Sequence, residues 1–374
     1  MLDNGKAEGV RKIKRFEKYC LKDIATVSQG FTFSRLYQGK KNLKWNYFKV
    51  ADIGINPNSK YLTNAINTIS DITMEEIGAL PFPKGSIVFP RVGAALFNNN
   101  KKILAQDGVV DDNVLVLTVT DTSKCWYEFL YYYLQGIPLA KWCNSGLVPV
   151  INTKTVLSQM VFLPPLPEQQ KIAAILSTQD KVIELKEKLL AQKQQQKKYL
   201  MQQLLTGKKR LPGFNEKWRF AKLENVSKYS ASAASFKTYE SHLGCGPYPV
   251  YDASGCFGNI DFYENEQPYI SIVKDGAGAG RVALCKEKSS TIGTLGCIFA
   301  NDIDLLYLFY CMSAVDFQIY SNGSTIPHVY YKDYKNMVLY LPCELEQKAI
   351  VEILSAADHE IDLLQKSIEA EKQK

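Results

Sequence analysis

The chain has 374 residues, 46% of them hydrophobic, which is enough for two ordinary domains with separate cores. No apolar run reaches the ~18–20 residues of a membrane span, and the nine cysteines form neither a CxxC pair nor a zinc-type cluster with histidine. We therefore expect free thiols in a reducing cytoplasm and no metal or other cofactor. The net charge of +7 permits a nucleic-acid partner without identifying one.

The first part of the chain, residues 16–162, is predicted to form a strand-rich mixed α/β module. The segments GSIVFPRVGAAL and DDNVLVLTVT have the composition of strands and are bounded by Gly, Pro and Asp. The segment WYEFLYYYLQ is typical of a buried helix, and the loop GIPLAKWCNSGLVPVIN follows it.

A long helix is predicted next, beginning at Pro167, because proline suits the first helical turn. Apolar residues recur every seven positions in it, at Leu176, Ile183 and Leu190, which is the pattern of a coiled-coil seam. Gly207 is predicted to end the helix as a residue of left-handed conformation.

The second module, about residues 215–340, follows the same scheme. YISIVKDGAGAGRVAL predicts strand–loop–strand, DIDLLYLFYCMSA predicts a buried helix, and the loop SNGSTIPHVYYKDY comes after it. The helix that follows carries its own seven-residue stripe at Leu354, Ile361 and Ile368.

The two halves are an internal repeat. The segment LPPLPEQQKIAAILS at residues 163–177 returns 178 positions later as LPCELEQKAIVEILS at residues 341–355. The predicted fold class is α/β (α+β), with two similar strand-rich globular domains, each followed by a long helix. The helices are expected to pair as an antiparallel coiled coil with pseudo-two-fold symmetry; the alternative is that each stripe packs on its own module.

The predicted division of the chain has four parts. These are a first recognition domain, a first spacer helix, a second recognition domain and a second spacer helix, at residues 1–165, 166–207, 208–343 and 344–374. One helix over residues 167–206 spans roughly 60 Å at ~1.5 Å per residue. Two copies of one module held apart by such helices suit duplex DNA, where half-sites repeat about every ~34 Å.

The chain resembles a known family at these residues. The helix starts LPPLPEQQKIAAIL and LPCELEQKAIVEIL look like those of Type I restriction–modification specificity subunits. Several module segments are similar to that family's target recognition domains: QGFTFS, VADI, GSIVFPRVGA, PVIN, GPYPVYDASGCFGNIDFY, KDGAGAGRV and STIPHV. The resemblance covers essentially the whole chain. It implies that each module reads one half of a split, asymmetric duplex DNA target, while the helices set the gap and bind two methyltransferase (modification) subunits. It also implies that motor-nuclease (restriction) subunits join the complex.

Catalytic motifs are missing from the sequence, as expected of a non-catalytic subunit. An adenine methyltransferase needs an Asn/Asp-Pro-Pro-aromatic loop, but Leu163 precedes the sole Pro-Pro pair. The Gly207-Lys208 pair has Gln202 where a phosphate-binding loop needs its first glycine. We therefore expect no catalytic residues and no membrane association.

Candidate DNA contacts lie on loops rich in Asn, Arg, Lys and Tyr. Asparagine suits adenine edges, arginine suits guanine or phosphate, and lysine suits phosphate. The candidates are Arg35, Lys41, Lys44, Arg91, Asn98, Asn99, Asn100, Lys101 and Lys102 in the first module and Lys274, Arg281, His328, Tyr330, Tyr331 and Lys332 in the second. For any single one of them, a solvated loop residue is the alternative.

Two other functions are compatible with a duplicated chain of this composition. One is the recognition region of a fused restriction–methylation enzyme, against which the missing catalytic motifs argue. The other is a tandem protein- or glycan-binding scaffold, which salt-dependent binding to duplex DNA would distinguish from a DNA reader.

Overall fold

The computed structural model describes residues 16–55, 59–144, 146, 148–323 and 326–373. Residues 1–15 of the predicted first domain, Ser324 and Thr325 of the STIPHV segment, and Lys374 of the second helix lie outside the described residues. The chain divides into two compact units, Met1–Leu185 (unit one) and Lys186–Lys374 (unit two). The four-part division of the chain stays a prediction. In the described ranges, no helix combines the length and apolarity of a membrane span.

Unit one is a mixed α/β unit. Its strands are β1 (Glu17–Cys20), β2 (Ala25–Gln29), β3 (Trp45–Phe48), β4 (Tyr61–Leu62), β5 (Asn67–Ile69), β6 (Ile87–Pro90), β7 (Lys102–Leu104), β8 (Val109–Val110), β9 (Val114–Val119) and β10 (Met160–Leu163). Its α-helices are α1 (Val50–Ile55), α2 (Asp71–Glu76), α3 (Tyr127–Gln135), α4 (Thr153–Leu157) and the start of α5 (Leu166–Leu204). Short 3-10 helices cover Leu21–Asp23, Arg35–Tyr37, Ala94–Asn98 and Leu139–Trp142.

Unit two repeats this order. Its strands are β11 (Arg219–Lys222), β12 (Ser227–Ser230), β13 (Tyr248–Asp252), β14 (Gly255–Ile260), β15 (Tyr269–Val273), β16 (Val282–Cys285), β17 (Ser290–Thr291), β18 (Leu295–Ala300) and β19 (Val338–Leu341). Its helices are the remainder of α5 and α6 (Leu223–Val226), α7 (Phe236–Glu240), α8 (Leu305–Ser313), α9 (Tyr331–Tyr334) and α10 (Glu344–Gln373), with a 3-10 helix at Phe317–Tyr320. The predicted buried helices and the predicted hairpin are therefore confirmed as α3, α8 and β15–β16.

The sheets show that the two units share one topology except for β4, an additional edge strand in unit one. In unit one the strands are ordered β2-β9-β6-β7-β4 and β5-β3-β8, and β1 pairs with β10. In unit two the orders are β12-β18-β15-β16 and β14-β13-β17, and β11 pairs with β19. Each unit thus closes with an antiparallel ribbon that joins its first strand to the strand preceding its long helix.

The main sheet of unit one is buried on both faces. Ile87 and Phe89 of β6 pack with Leu130 of α3 in the largest core cluster of that unit. Val88, which points the opposite way, packs with Phe48 in a second cluster. Alternate residues of a strand face opposite sides of the sheet, so the apolar residues of β6 pack in two different cores.

A buried glutamine attaches each long helix to its own unit. In unit one the Gln169 side chain is fully buried; it donates to the carbonyl oxygens of Lys124 (2.7 Å) and Pro164 (2.8 Å) and accepts from the Trp126 amide (2.8 Å). Trp126 is the N-cap residue of α3. The glutamine therefore joins the starts of two helices to the proline turn between β10 and α5.

Unit two uses the same contact at the same repeat position. Gln347 donates to the Pro342 carbonyl oxygen (3.0 Å) and accepts from the amide of Asp304 (3.0 Å). Asp304 is the N-cap residue of α8. The glutamine of the Glu-Gln pair thus has a structural role in both copies of the sequence repeat.

A second polar contact holds each helix further along its length. Tyr132 of α3 donates to Asp180 (2.6 Å), and Tyr310 of α8 donates to Asp358 (2.8 Å). Apolar packing accompanies these bonds, since Ala173 belongs to the core of unit one and Leu354 to that of unit two. The starts of both helices therefore pack on their own units, which was the alternative to a seam along the entire stripe.

Within unit two, the second half of α5 and the whole of α10 run antiparallel. Lys186 pairs with Glu371 (2.9 Å) and Lys193 pairs with Glu360 (2.7 Å). Lys197, further along α5, pairs with Asp358, further back on α10. Residue numbers rise on one helix as they fall on the other, and α5 contributes the cations of these pairs while α10 contributes the anions.

The predicted seam residues differ in their burial. Leu354 is 0% exposed and Ile368 is 5% exposed, whereas Leu176 is 38% exposed. Ile183, Leu190 and Ile361 have intermediate exposure. Leu354 packs in the core cluster of unit two that also contains Met201, Leu204 and Leu205 from the end of α5 and the residue after it. Contact among all six stripe residues along one seam stays a prediction.

The connection after α5 is held by a buried carboxylate. Glu346 on α10 is 0% exposed and receives two bonds of 2.8 Å from Arg210. Trp218 donates a third bond of 2.9 Å through Nε1. Glu168, the repeat counterpart of Glu346, is exposed. A buried carboxylate needs such pairing because its desolvation is costly, so the linker is fixed against the start of α10.

Two of the predicted phosphate contacts, Lys101 and Lys102, lie inside unit one. Each is 2% exposed. Lys101 donates to the Asn99 side chain (2.7 Å) and the Ile137 carbonyl oxygen (2.9 Å), and Lys102 donates to the Ser59 carbonyl oxygen. This placement contradicts a role in binding phosphate, because a buried ammonium group cannot reach a surface ligand. Burial lowers the pKa of each amine to about 8.

We predict that Gln169→Ala lowers the free energy of unfolding by about 1–3 kcal/mol, because it leaves the Trp126 amide and two carbonyl oxygens without their bonds. Gln347→Ala should act in the same direction in unit two. The exposed neighbour Gln170 provides the control, and Gln170→Ala should change stability by less than about 0.5 kcal/mol. Urea unfolding followed by circular dichroism measures all three, and equal midpoints for Q169A and Q170A would contradict the assigned role.

We predict that Lys101 and Lys102 contribute more to stability as pH rises from about 8 to about 10, because the folded chain releases protons from these two amines that the unfolded chain retains. This contribution to stability rises with pH because the pKa of each amine in the folded chain lies below the ordinary lysine value. Thermal unfolding across this range measures the effect. Relative to the wild type, the double variant K101M/K102M should lose this pH-dependent contribution, whereas the exposed-lysine control K84M should keep it.

Candidate nucleic-acid interface

In unit two, a loop crosses the end of the β15–β16 hairpin. The Val329 amide donates to the Lys274 carbonyl oxygen (2.8 Å), and the Gly276 amide donates to the Pro327 carbonyl oxygen (3.0 Å). Gly276 has φ +93°, a left-handed conformation that favours glycine and lets the hairpin turn beneath the loop. We call this contact the unit-two crossing.

The unit-two crossing brings together four predicted site residues and one that sequence reasoning missed. His328 shares a 2.7 Å hydrogen bond with Asp275, from its Nδ1 to the carboxylate Oδ1. The rings of His328 and Tyr330 lie parallel with centroids 5.7 Å apart, and the Lys332 ammonium stands 5.6 Å from the Tyr330 centroid. Lys274 contributes its carbonyl oxygen, which accepts the bond from the Val329 amide. The missed residue, Asp275, carries the sequence signal of an ordinary turn, because it precedes a glycine.

The other two candidates of unit two have different surroundings. Arg281 is exposed and donates to the carbonyl oxygen of Ala253. Tyr331 stacks on Tyr229 with centroids 4.3 Å apart and rings 8° from parallel, beside the core of the unit. The Arg281 side chain is therefore accessible to a ligand, whereas Tyr331 mainly packs.

Unit one has an equivalent crossing, between the end of β6 and the loop before α4. The Ile151 amide donates to the Arg91 carbonyl oxygen (2.9 Å), and the Gly93 amide donates to the Pro149 carbonyl oxygen (3.0 Å). Gly93 has φ +81°. Arg91 thus occupies the place of Lys274, and its guanidinium donates to the Asp112 carbonyl oxygen at 3.3 Å. We call this contact the unit-one crossing.

The three asparagines near the unit-one crossing are not equivalent. Asn98 is exposed at the end of a 3-10 helix. Asn99 adopts φ +55° and accepts a 2.9 Å bond from the Leu139 amide, so it holds the chain in place. Asn100 is half-buried, and Lys101 and Lys102 are interior. Only Asn98 of this run presents its side chain freely among the described residues.

Arg35, Lys41 and Lys44 belong to another part of unit one. All three are exposed, on a segment that packs with the β5-β3-β8 sheet, whereas Arg91 extends β6 of the larger sheet. Lys44 pairs with Asp71 at 2.8 Å and stands 5.0 Å from the Trp45 ring centroid. These three cations thus belong to a different sheet from that of Arg91.

Across the described ranges, no group of three or more His, Cys, Asp or Glu side chains is placed to hold a metal ion. The free cysteines found buried there include Cys125, Cys297 and Cys311. Burial raises the pKa of the Cys125 thiol to about 12 and that of Cys297 to about 11. These thiols are protonated and unreactive at neutral pH.

Comparisons of sequence agree with the duplicated architecture. A family model, the Type I restriction modification DNA specificity domain, matches residues 13–194 and 215–372. The putative type I restriction enzyme MjaX specificity subunit of Methanocaldococcus jannaschii is 25% identical over 383 residues, covering 93% of this chain and 88% of that protein. The type I restriction enzyme MjaVIII specificity subunit of the same organism is 36% identical over 98 residues, covering 25% of this chain and 23% of that protein.

Comparisons of structure agree on the fold. The S subunit of a Type I restriction–modification system from M. genitalium aligns with a TM-score of 0.64 at 14% identity, covering 97% of this chain and 95% of that one. A chain from a study of assembly and conformational transition of the type I R-M system aligns with a TM-score of 0.56 at 14% identity, covering 96% and 94%. Because the family model matches both copies of the repeat, the chain belongs to the Type I restriction–modification DNA specificity domain family.

Proposed function

We propose that the chain is the sequence-reading subunit of a Type I restriction–modification complex, and that each unit reads one half of a split duplex DNA target. The observation that carries this is the pair of crossings. Both are held by the same two backbone bonds, yet they present different side chains. Readers of two unlike half-sites need a constant backbone and variable side chains, so we infer an asymmetric target.

The chemistry of the exposed residues supports contact with DNA. Lys274 and Lys332 at the unit-two crossing, and Arg281 elsewhere on the same unit, are cations suited to phosphates. In unit one Arg91 has the matching position, Asn98 suits an adenine edge, and Arg35, Lys41 and Lys44 suit phosphates. The roles of Tyr330 as a stacking surface and of His328 as a base contact are part of the same proposal.

We infer that the long helices determine the spacing between half-sites and bind the partner subunits. Support comes from the duplicated attachment at Gln169 and Gln347, which makes the two helix starts alike. Two copies of a methyltransferase subunit would find like surfaces there, and restriction subunits would join that complex. The predicted domains at residues 1–165 and 208–343 would then be the readers and the helices the spacers.

The chain itself is proposed to lack catalytic activity and to act in the cytoplasm, where its DNA target lies. Reaction chemistry belongs to the methyltransferase and nuclease partners in this scheme. The sequence motifs for adenine methylation and for a phosphate-binding loop are missing, which supports this assignment.

The test is sequencing of methylated bases in a host with and without this chain, both carrying the methyltransferase partner. A split motif that is modified only when the chain is present is expected. Purified chain should bind duplex DNA in a salt-dependent way and should not turn over S-adenosylmethionine by itself. A modified motif that persists without the chain would refute the proposal.

We predict that inserting four residues after Gln196 changes only the number of unread bases between the half-sites. The insertion lengthens α5 by about 6 Å at ~1.5 Å per residue, or about two base pairs at ~3.4 Å. It also adds slightly more than one helical turn, about 1.1 turns at ~3.6 residues per turn, so the ion-paired face of α5 keeps roughly its direction. Both half-site sequences should stay as they were.

The control places four residues after Gly213, in the exposed connection beyond the helix. That variant should keep the original spacing because α5 keeps its length. Methylated-base sequencing of both variants measures the half-site sequences and the number of bases between them. Altered half-site bases at the old spacing in the Gln196 variant would show that readers and spacer are not separate parts.

A further inference from the structure

The two crossings differ at one pair of facing positions. In unit two a backbone bridge joins Asp275 to His328, and in unit one a bridge joins Val92 to Val150. The surrounding bonds match, since Val329 and Ile151 donate to equivalent carbonyl oxygens at 2.8 and 2.9 Å. A polar pair therefore occupies in unit two the place that two valines occupy in unit one, on the same backbone.

The polar pair orients the imidazole ring of His328. Its Nδ1 lies 2.7 Å from the Asp275 carboxylate, and parallel stacking on Tyr330 limits rotation of the ring. The carboxylate accepts only, so Nδ1 carries the proton. In the tautomer that this bond selects, Nε2 is an acceptor, and among the described residues it makes no hydrogen bond. The His328 side chain is 34% exposed, so a ligand can reach this nitrogen.

We propose that His328 determines specificity at one base pair of the half-site read by unit two, and that Asp275 is the positioning residue that selects its tautomer. This rests on the proposed function. An acceptor at Nε2 matches the amino groups that adenine and cytosine present in the major groove, whereas guanine and thymine present acceptors there. The valine pair of unit one offers no polar side-chain atom, so the corresponding position of the other half-site is read without this hydrogen bond.

The experiment uses the full chain with its methyltransferase partner and sequencing of methylated bases. The variant D275V/H328V gives unit two the valine pair of unit one. The equivalent backbone of unit one already accommodates that pair. D275N keeps the shape of the positioning residue but can donate as well as accept, so it no longer selects one tautomer. The matched control is H242V/D261V, because His242 and Asp261 form a similar exposed pair at 2.9 Å elsewhere in unit two.

The expected result is a change at one position of one half-site. D275V/H328V should lower the preference for adenine or cytosine there by roughly 5- to 100-fold, and D275N should admit guanine or thymine as well. The other half-site and the spacing should stay constant, and H242V/D261V should leave the whole motif unchanged. Circular dichroism and thermal unfolding confirm that each variant folds.

Three results would overturn the inference. The first is that the wild-type chain directs a split motif and that D275V/H328V and D275N direct the same motif. That result would leave the proposed function intact. The second is the same change of motif in H242V/D261V. The third is loss of all modification by a folded D275V/H328V chain, since a reader of one base pair should relax one position without abolishing the others. A wild-type chain that directs no modification would instead refute the proposed function.

Discussion

The buried glutamine at the start of each long helix is the contact on which the rest of its unit depends. Gln169 satisfies two carbonyl oxygens and one amide, which are buried or partly buried. Leaving buried groups of this kind without partners costs about 1–3 kcal/mol each, so the angle at which the helix leaves the unit is tightly constrained. Gln347 repeats the arrangement, and the tyrosine–aspartate bonds further along each helix extend it.

A backbone-held crossing allows the side chains on it to vary. The bonds that join each loop to its hairpin involve only amides and carbonyl oxygens, and glycines at φ +81° and +93° make the turns. Replacing a valine pair by an aspartate–histidine pair therefore changes the chemistry presented without changing the fold. This separation of scaffold from surface allows one fold to present different side chains.

Charge complements packing along the helices of unit two. Lysines on α5 face carboxylates on α10 at three successive levels. Pairs near the surface each contribute little, about 0–1 kcal/mol, but an alignment that brought like charges together would be repulsive, so these pairs favour one alignment over others. The stronger constraint is Glu346, which is fully buried and bonded to both Arg210 and Trp218. It ties the linker after α5 to the start of α10.

The sequence by itself determined the duplication, the helix starts and the positions of the main strands, because hydrophobic period, proline and glycine act locally along the chain. Only the tertiary structure decided which candidate side chains are available to a ligand. Lys101 and Lys102 follow three asparagines in sequence like surface residues, yet β7 and the loops around it bury them. Asp275 and His328 are 53 positions apart; their contact arises from a loop crossing a hairpin, and no local pattern encodes such a long-range approach.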